Sequence, residues 1–76
     1  MNNSQIWQTI ALDLKRAAIY LHTGRKKQAK YYLSEARNLY KVQKMGDRLL
    51  KIKQYIKFEG SPEDILLGSS LIMGRV

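Results

Sequence analysis

Few residues of this 76-residue chain are of a type that could make or break bonds. The single histidine, His22, would need a nucleophile to activate and a third group to orient it, and no such set is spaced around it. It stands where an apolar-periodic stretch ends, so its imidazolium suits a helix C-terminus. Ser69 and Ser70 fall inside an apolar run, where small residues serve packing. Glu63 and Asp64 form a carboxylate pair, but Ser61-Pro62-Glu63-Asp64 is also a helix start. Ser61 is a cap, Pro62 suits the first helical position and the two acids complement the dipole. One histidine and no cysteine cannot close a structural zinc site, and there is no glycine-rich phosphate loop. The expectation is a protein that is not an enzyme and holds no metal or cofactor.

The chemistry that the sequence does offer is ionic. In LHTGRKKQAK (21–30) a helix ends, Gly24 stops it, and Arg25, Lys26 and Lys27 follow where the next helix begins. A helix start favours negative charge, so each cation there opposes the dipole by a few tenths of a kcal/mol, roughly. Exposed N–H groups beside cations are, however, a ready anion site. Net charge is +8, and its distribution says more than its size. Between Lys15 and Lys57 lie thirteen of the fourteen Lys/Arg residues, opposed only by Glu35 and Asp47, a net of +11. Asp13, Glu59, Glu63 and Asp64 lie outside that segment. A basic middle with neutral-to-acidic ends points to an anionic partner.

The elements that must carry these charges are read from hydrophobic period. Roughly Ser4 to His22, Ile6, Ile10, Leu14, Ala17 and Leu21 recur on one side and Trp7, Ala11 and Ala18 widen the stripe. Ser4 is its candidate cap and Gly24 its left-handed stop. Leu12 and Ile19 fall off the stripe. A second helix, about Arg25 to Met45, buries Ala29, Tyr32, Leu33, Ala36, Leu39 and Tyr40. On its flank Lys26, Lys30, Arg37, Lys41 and Lys44 form a ridge that no acid of the helix interrupts, because Glu35 points elsewhere. Gly46 ends it and Asp47 caps a third helix over Arg48–Phe58, with Leu49, Ile52, Tyr55 and Ile56 inward. The fourth runs from about Pro62 to Met73. No strand pattern is present. The predicted fold is all-α: one domain over 1–76, a small bundle of about four helices with an antiparallel hairpin at its centre.

Gly24-x4-Ala29-x3-Leu33-x2-Ala36 resembles the middle of a tetratricopeptide repeat unit, with Ala17 and Tyr20 where such a unit places a small residue and an aromatic. A similar pattern occurs in microtubule-interacting-and-transport domains. The resemblance implies a helical hairpin and protein interaction rather than catalysis. Asp13 and Arg16 stand where the repeat prefers large apolar residues, and only one unit is present.

The ridge is either a solvated face that keeps the chain soluble or a binding surface; the partner expected of it is an acidic protein surface, met by Arg25, Lys26, Lys27, Lys30, Arg37, Lys41 and Lys44. Nucleic acid is the alternative, bound through phosphates with little base readout, because lysine dominates and bidentate base contacts need Arg, Asn or Gln. A DNA-reading helix-turn-helix does not fit: Tyr20 and Lys30 stand where it needs a small and an apolar residue. Tyr31 is expected to be a half-buried structural tyrosine, with a stacking ring for a base as the alternative. An anionic membrane surface is a weaker third reading, since the basic helix keeps no bulky apolar edge. No apolar run reaches the roughly 18 residues of a membrane span, and "MNNSQIW" lacks the features of a secretory signal. A soluble, cytoplasmic protein is expected.

The last segment, ILLGSSLIMGRV, is apolar on every side. Such a helix must be buried on several sides, and Leu12, Ile19, Leu50 and Phe58, off their own stripes, are candidates within the chain to fold under it. The expectation is a homodimer whose interface comprises Ile65, Leu66, Leu67, Leu71, Ile72 and Met73, with Gly68, Ser69 and Ser70 permitting close approach. The alternative is a different protein that receives this helix in a groove.

Overall fold

The structure, a computed structural model, describes residues 3–42 and 47–75. Its elements are α1 (Asn3–His22), α2 (Lys26–Val42), a single turn α3 (Asp47–Leu50), a 3-10 turn (Lys53–Tyr55) and α4 (Pro62–Met73). No strand occurs among the described residues.

The long helix α1 is the hub. Its stripe places Trp7, Ile10, Ala11, Leu14, Ala17 and Ala18 in the core, leaving Leu12 and Ile19 on the opposite, exposed side. Ser4 lies inside α1 rather than at its cap. The helix ends as the glycine predicted. Gly24 takes φ +82°, its N–H donates to Leu21 O at 3.2 Å and Arg25 N–H donates to Tyr20 O at 2.7 Å. These are the two bonds of a Schellman stop, which needs a residue without a Cβ penalty at that φ. The reversal sends α2 back antiparallel along one flank of α1. Small Ala29 and Ala36, both fully buried, set the close approach of α2.

α4 packs on the other flank of α1, and α2 and α4 make little direct contact. Its start matches the sequence signal: Ser61 Oγ accepts from Asp64 N–H at 3.3 Å, with Pro62 in the first turn. Ser69 Oγ donates to Ala11 O at 2.6 Å, a buried bond that ties α4 to α1.

The third segment departs from the expected helix over Arg48–Phe58. After Leu50 the chain tightens into i→i−3 bonds, Tyr55 N–H to Ile52 O at 2.9 Å and Ile56 N–H to Lys53 O at 3.2 Å, and then extends. The bundle is therefore three packed helices closed by a short irregular arm. The reason lies in packing. Ile52 and Ile56, β-branched and poor helix formers, are buried together with Leu49. The backbone at 55–57 lies so close to α4 that a Cβ on Gly68 would stand 3.0 Å from Tyr55 O and 3.3 Å from Ile56 Cα. Tyr55 stays largely exposed instead of facing inward. Gly46 as a helix stop, Asp47 as a side-chain cap and Lys44 in the ridge lie outside what the structure describes.

Candidate anion-binding interface

α2 is split lengthwise. One side carries Ala29 and Ala36 in the core, with Tyr32, Leu33, Leu39 and Tyr40 half-buried beside them. The other exposes Lys26, Lys27, Lys30, Arg37 and Lys41, preceded by exposed Arg25. At 1.5 Å per residue, the ridge from Lys26 to Lys41 is roughly 22 Å long. The first turn of α2 contains no acidic residue. The N–H of Ala29 donates to Arg25 O at 3.1 Å, so Arg25 stands at the helix entry.

None of these cations forms an ion pair among the described residues. Among the described residues the ion pair formed is Arg16 Nη1 with Asp13 Oδ1, at 3.9 Å on α1. Glu35 is half-buried on the flank of α2 that faces Asp13, away from the ridge. One acid does border the ridge, from outside α2: Glu59 shares a depression with Lys30, Ser34, Arg37 and Phe58. It arrives there because the arm folds back along α2, which the period of α2 alone could not reveal.

Arg37 differs from its neighbours. Its guanidinium lies 5.8 Å from the centroid of Phe58. Phe58 meets Tyr40 at 5.1 Å, and Tyr40 meets Trp7 edge-on at 5.9 Å. A row of rings thus connects the middle of the ridge to the core and fixes one cation in direction, whereas the lysines remain free to reorient. On the far edge of α2, Tyr31 is exposed and meets Tyr32 edge-on at 5.2 Å. Tyr32 stacks on Tyr20 at 5.7 Å with Arg16 over its ring. Tyr31 is therefore not the half-buried tyrosine that the sequence leads one to expect.

Exposed apolar side chains adjoin the basic surface. Val42, at the end of α2, is 74 % exposed, about 100° round the helix from Lys41. Leu50, also exposed, shares a depression with Tyr40, Lys51, Lys53 and Gln54. The basic surface thus continues beyond α2 as a mixture of lysines and uncovered apolar groups.

The residues that could have suggested catalysis have structural settings. His22 is exposed at the end of α1, beside a cavity of about 230 Å3 lined with Ala18, Ile19, Pro62, Glu63 and Leu66. Glu63 and Asp64 occupy the first turn of α4. No group of three metal-ligating side chains occurs among the described residues.

The six apolar residues expected at an oligomer interface divide. Ile65 and Ile72 are fully buried in the protein's own core, so they are not available to a second copy. Leu71 is half-buried against that core. Leu66, Leu67 and Met73 are exposed. Gly68 and Ser69 face inward, one admitting the arm and the other bonding α1. α1 and the arm therefore cover the side of α4 that carries Ile65, Gly68, Ser69 and Ile72, and leave Leu66, Leu67 and Met73 open.

Asp13, marked in the sequence only as a departure from the repeat pattern, lies in the core. It is 1 % exposed, in line with Ile10 and Ala17 on the core stripe, and its Oδ2 has no hydrogen-bond partner. Burial, with a smaller push from Glu35 and an opposing pull from Arg16, raises its pKa from 3.8 to about 6. The signal was available: an acid three residues after Ile10 and four before Ala17 falls inside the stripe.

In comparisons with protein-family models, curated proteins and solved structures, the chain shows no significant match. No helix among the described residues is long and apolar enough to cross a membrane.

Proposed function

We propose that the protein is a small helical interaction module that binds an acidic protein surface through the outer face of α2. The observation that carries this reading is the uninterrupted exposure of Lys26, Lys27, Lys30, Arg37 and Lys41 on one helix, with no ion pair to any of them among the described residues. A solvated face would satisfy the same exposure, but it would not call for three cations at a helix start that disfavours them.

An acidic protein fits better than a phosphate backbone because Leu50 is uncovered beside Lys51 and Lys53. Protein interfaces combine an apolar anchor with a charged rim. Phosphates offer no apolar counterpart. Cytoplasmic residence accords with this reading.

The test is capture from lysate with and without nuclease, comparing the native chain with Lys26→Glu/Lys30→Glu/Lys41→Glu. Arg37 is left in place because it packs on Phe58. The expected result is a nuclease-resistant set of acidic proteins that the triple variant loses while keeping its helicity. Capture that is unchanged by reversal would show the ridge to be only solvated. Capture that disappears with nuclease would favour nucleic acid. That alternative has a salt signature, a fall in log affinity of about 0.9 per phosphate for each decade of salt.

A further inference from the structure

The exposed face of α4 has its own geometry. Leu66 and Met73 lie one above the other, seven residues apart, on the side towards α1. Leu67 lies on the other side and exposed Ser70 between them. The core does not use these side chains: Leu66, Leu67 and Met73 are each more than 40 % exposed. On the α1 side, exposed Ile19 and Leu66 share the cavity of about 230 Å3. The charge of α4 is also unlike that of the rest of the chain. It has no Lys or Arg, its first turn carries Glu63 and Asp64, and Arg75 follows its last turn.

We infer that this face binds a second copy of the chain, with the two α4 helices antiparallel across a two-fold axis near Ser70. Three observations select a second copy over another occupant. First, a chain of net +8 repels itself through its basic surfaces, and α4, the helix without cations, is where two copies approach without that repulsion. Second, the face is self-complementary in charge. An antiparallel pairing about Ser70 sets Glu63 and Asp64 of each copy beside Arg75 of the other, and it also opposes the two helix dipoles. Third, it is self-complementary in shape. The small Ser70 sits on the axis, and the same operation brings the second copy's Met73 to Leu66, at the edge of the cavity by Ile19. A flexible thioether suits an irregular apolar gap. The inference is independent of the anionic-partner reading and leaves α2 of both copies uncovered.

Sedimentation or light scattering tests it, in about 0.5 M NaCl, where long-range charge is screened and the apolar contact is retained. At roughly 100 µM the native chain should have twice its 8.8 kDa mass. Leu67→Glu/Met73→Glu should be monomeric with its helicity retained, because both side chains are exposed in one copy. Should that variant lose helicity, Ser70→Arg supplies the test, since it places two guanidinium groups on the axis without touching the core. At low salt Glu63→Lys alone and Arg75→Glu alone should each dimerise less, and an equimolar mixture should recover, because the pairs between positions 63 and 75 across the axis are then again opposite in sign. A monomeric native chain, or interface variants that remain dimeric, would overturn the proposal. Failure of the mixture to recover would overturn the antiparallel arrangement. Retention of the dimer at high salt separates this outcome from loss of an anionic partner, which high salt would release.

Discussion

Asp13 is the most exacting single residue. A carboxylate that is almost fully buried, with one oxygen unpartnered and Glu35 facing it from α2, is held there against its hydration preference. The exposed Arg16, at 3.9 Å, compensates only in part. The sign of the linkage follows. The native state keeps the Asp13 proton up to about pH 6, whereas the unfolded chain loses it near 3.8, so the native state binds more protons between those values. Asp13 therefore lowers stability as pH rises from about 4 to 6, and the loss is complete above that window. The size is at most on the order of 3 kcal/mol, from about 1.4 kcal/mol per pKa unit. Asp13→Asn should raise the Tm at pH 7.5 and flatten the dependence of Tm on pH between 4 and 6, measured by thermal unfolding across a pH series. A variant no more stable than the native chain at pH 7.5 would show that the carboxylate is better solvated than its burial implies.

At the scale of elements, Gly68 illustrates how tertiary packing overrides local preference. Alanine is the better helix former by about 1 kcal/mol, yet a Cβ here would meet the backbone of Tyr55 and Ile56 rather than a side chain that could turn aside. Gly68→Ala should therefore destabilise, by about 1–3 kcal/mol, in denaturant titration. A gain in stability would mean that the arm is not seated on α4 as described. The same contact explains what was legible in the sequence and what was not. The stripes of α1 and α2, the Gly24 stop and the Ser61 cap rest on local rules, and all were readable. The arm was not, because Leu49, Ile52 and Ile56 fit a helical period equally well and only Gly68, more than ten residues later, makes the 3-10 path the better packed one. The inward positions of Ile65 and Ile72 were hidden for a similar reason, since an all-apolar helix has no stripe to show which side is covered. At the basic face, the cations of α2 were legible from their spacing. The neighbouring Glu59 and the seating of Arg37 on Phe58 depend on the return of the arm.

On the scale of the whole molecule, the arrangement separates two surfaces. α1 lies between a basic flank, α2, and a flank without lysine or arginine, α4. A pair of copies joined through α4 would present two basic ridges, and a partner with two acidic segments would gain from bivalence without any new contact. The anionic partner proposed for the ridge is the first thing to test. The most direct measurement is lysine footprinting: brief acetylation of the chain alone and in nuclease-treated lysate, read residue by residue by mass spectrometry. The prediction is protection of Lys26, Lys30 and Lys41 in lysate, with exposed Lys15 on α1 as reactive as in the isolated chain. Equal reactivity of all four lysines in both conditions, or protection of Lys15 with the ridge still open, would contradict it.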